Sequence, residues 1–324
     1  MKAKNVFSAL LLWGMTGLIG SGNVQAEGKI KIVATTTVIG SIAGEIAGTE
    51  AEIYSIAKPK RDPHFYSPTP RDVLKAKKAD VLIHGGLDLE TWRGPLLDAV
   101  GKPELMWPNG KRQIDVSAGI ELLEIPPSLS RAEGDIHAYG NPHYWIDPEN
   151  GKRVARNIAE GLARLYPEEA DFFLKNAGIF EAKMDIKIKK WTALLAPYAG
   201  KKIISYHKSM IYFLRRFGLV SAGEIEPKPG IPPTARHLAT LKKIMKEDQI
   251  KVILKETFHE NSTPKKVAND TGALIVIFAQ AVGEVPEAGD YRSMMDYDVR
   301  AVEAAFSPVF PSIRRIDEKT ALDA

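Results

Sequence analysis

Short apolar, β-branched runs recur along the chain, each bounded by turn residues. Lys29 to Thr36, Glu52 to Ile56, Val81 to His84, Ile203 to Ser205, Val252 to Leu254 and Leu274 to Phe278 carry this pattern. Between them lie stretches whose apolar positions recur at the helical period, such as Val38 to Ile46, Arg71 to Lys78, Lys152 to Leu165 and Thr234 to Glu247. Strands alternating with helices predict an α/β protein with parallel sheets covered on both faces. The strands are too few, and too long a helix interrupts them, for one closed eightfold barrel.

That helix organises the chain. From Glu168 to Ala196 the only glycine is Gly178, and Pro197 stops the run. Phe173, Ala177, Phe180, Met184, Ile188, Trp191 and Leu195 follow one another at intervals of three or four, a single apolar stripe. Pro167 and the carboxylates Glu168, Glu169 and Asp171 suit a helix start, where the dipole is positive. At 1.5 Å per residue the rod is roughly 43 Å long, enough to run across two lobes. The expected organisation is therefore an N-terminal lobe over 27–166, a rigid connecting helix over 167–197 and a C-terminal lobe over 198–324. The segment from Ile120 to Tyr139, with adjacent prolines and mixed charge, reads as a surface loop.

The first 26 residues do not fit this scheme. Lys2 and Lys4 precede an apolar core from Val6 to Ile19, and Val24-Gln25-Ala26 offers small residues where a signal peptidase cleaves. The core is too short to anchor in a bilayer, which requires about 20 residues. A cleaved export signal over 1–26 and a periplasmic destination follow as expectations. Cysteine is absent from all 324 residues. That excludes disulfides, zinc–thiolate and iron–sulfur sites, thiol catalysis and a thioether lipid anchor. The formal charge is only +4, half of it from Lys2 and Lys4, so there is no footprint for nucleic acid.

Chemistry must then come from the seven histidines, none of which forms a local HExxH or HxxxH pair. His64 lies in KRDPHFYSPTPRD, a proline-stiffened loop leaving a strand. His143 lies in GNPHYWIDP, and His207 follows a strand in KKIISYHKS. Loops at the ends of parallel strands are where α/β proteins place ligand-binding groups. Two of these histidines belong to the first lobe and one to the second. His84 reads as a strand-end residue, and His137, His237 and His259 as surface or helix residues. Among the acids, Asp290 precedes a helix and could be its N-cap, while Glu226 and Glu256 read as ordinary solvated carboxylates.

The segments DPHFYSPTPRD, GNPHYWIDP, YHKSMIYFLRRFGL, EPKPGIPP and GDYRSMMDYD, in this order, resemble the zinc/manganese solute-binding proteins of metal ABC importers, the cluster A-I group. The resemblance spans essentially the whole chain beyond residue 26. It implies two α/β lobes joined by one rigid helix, with a single metal ion in the cleft between them. Carried over by motif, the ligands are His64, His143, His207 and Asp290. Members with histidine in third place resemble the zinc binders, whereas manganese-type members generally use a carboxylate there. Two features depart from the pattern: the long His-rich loop of many zinc members is missing, and Asp290 stands one residue closer to Met294. The latter leaves Glu256 or a water as alternative fourth ligands.

The implied function is a non-enzymatic, monomeric periplasmic carrier that delivers Zn²⁺ to an ABC permease in the inner membrane. Three imidazoles and one carboxylate suit tetrahedral zinc, whereas Mn²⁺ prefers more oxygen ligands. The competing readings are a manganese or iron carrier on the same fold and a zinc hydrolase with Glu256 as general base.

Overall fold

The computed structural model describes residues 28–106, 110–126 and 137–307. The expected export signal and the middle of the expected surface loop lie outside the described residues. Strands β1 (Ile30–Ala34), β2 (Ala51–Ser55), β3 (Val81–His84) and β4 (Gln113–Asp115) form one sheet in the order β2-β1-β3-β4. Strands β5 (Lys202–Ser205), β6 (Val220–Glu224), β7 (Val252–Lys255) and β8 (Leu274–Ile277) form a second in the order β6-β5-β7-β8. Every pairing in both is parallel.

The two sheets thus repeat one topology, in which the strand order reverses beside the first strand of each. Loops leaving the carboxyl ends diverge there and open a crevice. The central strands β3 and β7 are buried along their whole length, which is why they read as continuous apolar runs. The edge strands β4 (QID) and β6 (VSAGE) lack such runs and were not expected from the sequence.

The helices are α1 (Thr37–Ala47), α2 (Pro70–Lys77), α3 (Arg93–Val100), α4 (Pro148–Leu165), α5 (Ala170–Leu195), α6 (Ile211–Arg216), α7 (Ala235–Glu247), α8 (Ser262–Thr271) and α9 (Tyr291–Phe306). The expected connector is α5, extended at both ends by 3-10 turns over Pro167–Glu169 and Ala196–Tyr198. All of its expected stripe is fully buried except Ile188, which is half-buried.

The connector does not stand alone between the lobes. It packs against α4, α1 and α9. Helix α9 follows the second sheet yet returns to the first lobe. Arg292 pairs with Glu45 of α1 at 3.0 Å, and the Tyr291 hydroxyl donates to the Trp145 carbonyl at 2.6 Å. Gly151 in α4 makes room for that tyrosine, because a Cβ there would lie 2.2 Å from the Tyr291 hydroxyl. Asp296 of α9 accepts from the Trp191 indole at 2.8 Å and pairs with Lys187, both on α5. One continuous apolar core therefore runs from the first sheet through α4, α5 and α9 to the second.

Candidate metal centre

Three histidines, two from the first lobe and one from the second, meet in one cluster. His64 sits on the loop from β2 to α2. The Asp62 carboxylate accepts from the His64 backbone N–H at 2.9 Å, an Asx turn that the following proline stiffens. Trp92 Nε1 donates to the Pro63 carbonyl at 2.7 Å, and the Thr91 hydroxyl to the His64 carbonyl at 3.1 Å. These contacts tie the loop to the segment that follows β3.

His143 is fixed by a second Asx turn. Asn141 Oδ1 accepts both the His143 backbone N–H at 3.0 Å and its ring Nδ1–H at 2.9 Å. The same Asn141 side chain donates through Nδ2 to the Lys208 carbonyl at 2.5 Å, in the other lobe and next to His207. Its own carbonyl accepts from the Tyr212 hydroxyl at 2.9 Å. One asparagine thus sets the ring of His143 and stitches it to the loop carrying His207.

His207 lies just beyond β5. Its Nδ1–H donates to the Glu226 carboxylate at 2.9 Å, and Glu226 follows the neighbouring strand β6. With Nδ1 committed to Asn141 in one ring and to Glu226 in the other, the free lone pair of each is on Nε2. His64, His143 and His207 are all buried, and a ligand nitrogen of each lies within 4.8 Å of the others. Ring centroids are 4.9 Å apart for His64 and His143, 5.5 Å for His143 and His207, and 6.0 Å for His64 and His207. The Nε2 atoms of His64 and His143 are 2.9 Å apart, whereas a tetrahedral zinc at ~2.0–2.1 Å would hold them about 3.3 Å apart. A small rotation of either ring accommodates an ion.

The electrostatics divide by lobe. Burial, together with the neighbouring imidazoles, holds His64 and His143 well below the ordinary histidine range, so both are neutral and ready to ligate. Burial also disfavours the charged form of His207. There the hydrogen bond to Glu226 and the charges of Glu256, Glu226 and Asp62 outweigh it and raise the pKa above the usual value.

Asp290 is not part of this group. Helix α9 begins at Tyr291, and the Asp290 carbonyl takes its first intrahelical bond from the Met294 N–H at 2.9 Å. The Asp290 carboxylate accepts from the Ser293 N–H at 2.8 Å, and Ser293 Oγ accepts from the Asp290 N–H at 2.8 Å. This is a capping box, the N-cap role weighed above. The alternative Glu256 is buried rather than solvated, and its Oε1 accepts from Gln280 Nε2 at 2.9 Å.

Two histidines read as surface residues belong to the surroundings of the site. The His137 ring lies 4.7 Å from that of His64, and the His259 ring lies 5.8 Å from that of His207. His84 is buried elsewhere, beside Arg93 and Asp115, and His237 donates to the Glu224 carbonyl at 2.8 Å. Asn141 and Glu226 were also missed as positioning groups. For Asn141 a signal existed, since Asn-Pro two residues before a histidine is an Asx-turn pattern.

A family model described as ZnuA, the periplasmic zinc-uptake complex component A, matches residues 32–305. The chain belongs to the ZnuA family. It is similar to the metal ABC transporter substrate-binding lipoprotein FimA of Streptococcus parasanguinis, at 29% identity over 92% of this chain and 96% of FimA. The manganese ABC transporter substrate-binding lipoprotein PsaA of Streptococcus pneumoniae is 28% identical over 92% of this chain and 95% of its own. Among solved structures, a zinc-bound ZnuA lacking residues 138–173 superposes with a TM-score of 0.73 at 25% identity, covering 86% of this chain and 98% of that one. As a ZnuA-family member the protein is a substrate-binding component of a metal ABC transporter, and its partners are a metal ion and a membrane permease.

Proposed function

We propose that this ZnuA-family protein carries Zn²⁺ rather than Mn²⁺, held by His64, His143 and His207, and hands it to an inner-membrane permease without catalysing a reaction. The observation that carries the choice of metal is the residue in third place: His207, whose Nε2 faces the other two imidazoles. An all-imidazole set suits borderline zinc, while manganese prefers more oxygen donors. The curated relatives bearing the word manganese in their names support the competing reading, a manganese carrier on the same fold. Against it stands the donor set. With Asp290 in its capping box, the metal-capable cluster among the described residues consists of three nitrogens, and in this reading a water or a neighbouring side chain completes the tetrahedron.

The proposal places the protein free in the periplasm after cleavage following Ala26. Its relatives FimA and PsaA are named lipoproteins, but this chain has no cysteine to bear a thioether lipid. The expected units 27–166, 167–197 and 198–324 are proposed as its two lobes and connector. The metal content of protein isolated from the periplasm without added metal tests the function. Zinc in near-equimolar amount supports the reading. Manganese or iron in its place overturns the choice of metal, and material retained in the cytoplasm overturns the location.

A further inference from the structure

The connecting helix α5 turns one apolar row to the core and another to solvent. Phe172, Ile179, Ile186 and Leu194 are all exposed, Ile186 by as much as 65%. They follow one another at intervals of seven or eight residues, which return to nearly the same side of a helix. That side lies opposite the buried Phe173, Phe180, Met184 and Trp191. Gly178 is exposed there too. Glycine in mid-helix weakens the helix relative to alanine, yet a Cβ at Gly178 would meet nothing within 4 Å. Packing within the chain gives no reason for it.

The charges on this side are arranged about Phe180. Asp171 stands nine residues before it and Lys189 nine after, while Lys175 stands five before and Asp185 five after. Each acid has a base at the mirrored position. The small residues Gly178 and Ala182 stand two to either side. Asp171, Lys175 and Lys189 are exposed and form no ion pair among the described residues. Asp185 pairs with Lys152 at 2.5 Å but remains 62% exposed.

We propose that two copies of this chain associate through α5, their helices antiparallel about a twofold axis level with Phe180. Such an axis joins the same patch on both copies and sets mirrored positions side by side. Asp171 then meets Lys189 of the partner subunit, and Lys175 meets Asp185 of the partner subunit. Gly178 meets Ala182 of the partner subunit, where two small residues let the backbones approach and cover Ile179 and Ile186. Burial of the apolar row supplies the affinity, and the ion pairs, individually weak at a surface, fix direction and register. A contact confined to one helix from each copy is small, which places the association in the micromolar range. An anionic lipid surface fits this face less well, because Asp171 and Asp185 would turn toward its headgroups. The pairing departs from the monomer that the family resemblance implies. It does not depend on the choice of metal, since His64, His143 and His207 all lie outside α5.

Sedimentation velocity of the purified protein across the micromolar range tests the proposal, with thermal unfolding of each variant establishing that it is folded. The unmodified protein is expected to pass from monomer to dimer as its concentration rises. Ile186→Glu should weaken association at least about tenfold. Asp171→Lys and Lys189→Asp should each weaken it, and the combined Asp171→Lys/Lys189→Asp variant should recover it by exchanging the two charges. A protein that stays monomeric at every concentration overturns the proposal. So does a dimer indifferent to Ile186→Glu, or a charge exchange that fails to restore pairing. A monomer that instead sediments with phosphatidylglycerol vesicles assigns the face to a membrane and overturns it as well.

Discussion

The two lobes share one sheet topology yet hold their histidines by opposite electrostatic means. In the first lobe His64 and His143 hang from Asx turns whose acceptors are Asp62 for a backbone N–H and the neutral Asn141 for a ring. Burial dominates there and keeps both rings uncharged. In the second lobe the ring of His207 donates to a carboxylate, and the surrounding acids favour its protonated form. A metal needs neutral nitrogen on all three. The difference singles out His207 as the one ring of the three whose protonated form its surroundings favour.

Removing a ligand gives the largest effect and tests whether the three are equivalent. His64→Ala, His143→Ala and His207→Ala should each weaken zinc binding more than a hundredfold, measured by competition with a chromophoric chelator. A variant that retains the original affinity removes that histidine from the site.

The positioning groups come next. Glu226→Gln and Asn141→Ala should each lower affinity by about 10–100-fold, the usual scale for groups that orient a ligating imidazole. Asn141→Ala should also loosen the joint between the lobes, because it breaks the bond to the Lys208 carbonyl. Glu226→Gln leaves that joint intact. Equal losses of thermal stability in the two variants would contradict this distinction.

Acid gives the finest probe. The proton on His207 competes with the metal once pH falls through its raised pKa, whereas His64 and His143, with lowered values, remain neutral there. Affinity should therefore decline by about tenfold per pH unit as pH falls just below the usual histidine value of ~6.5, the slope of one proton. Glu226→Gln should move that decline to lower pH. A slope of about three decades per unit, from three histidines titrating together around ~6.5, would erase the distinction between the lobes.

How far the sequence discloses this arrangement depends on what each residue answers to. Central strands and the stripe of α5 are legible because burial on all sides leaves an unbroken or periodic apolar record. Edge strands β4 and β6 are not, since half of each answers to solvent and to its neighbour's register. The three clustered histidines stand out by their rigid strand-end contexts. Asp290 could not be separated from a helix cap by motif alone, because an aspartate just before a helix suits either role. His259 and Glu226 owe their positions to contacts across the second sheet, and no local pattern records those. The return of α9 to the first lobe is equally invisible, because it depends on Tyr291 meeting the gap left by Gly151, far away in sequence.

The central claim is that three imidazoles, without the Asp290 carboxylate, select zinc. Its most direct test is a competitive titration of metal-free protein with zinc and manganese at pH 7.5, repeated on Asp290→Ala. The account predicts that zinc binds at least about a hundredfold more tightly than manganese, as the nitrogen donor set and the Irving–Williams order require. It also predicts that Asp290→Ala leaves both affinities unchanged. Manganese bound as tightly as zinc, or a preference that collapses when Asp290 is removed, would contradict it.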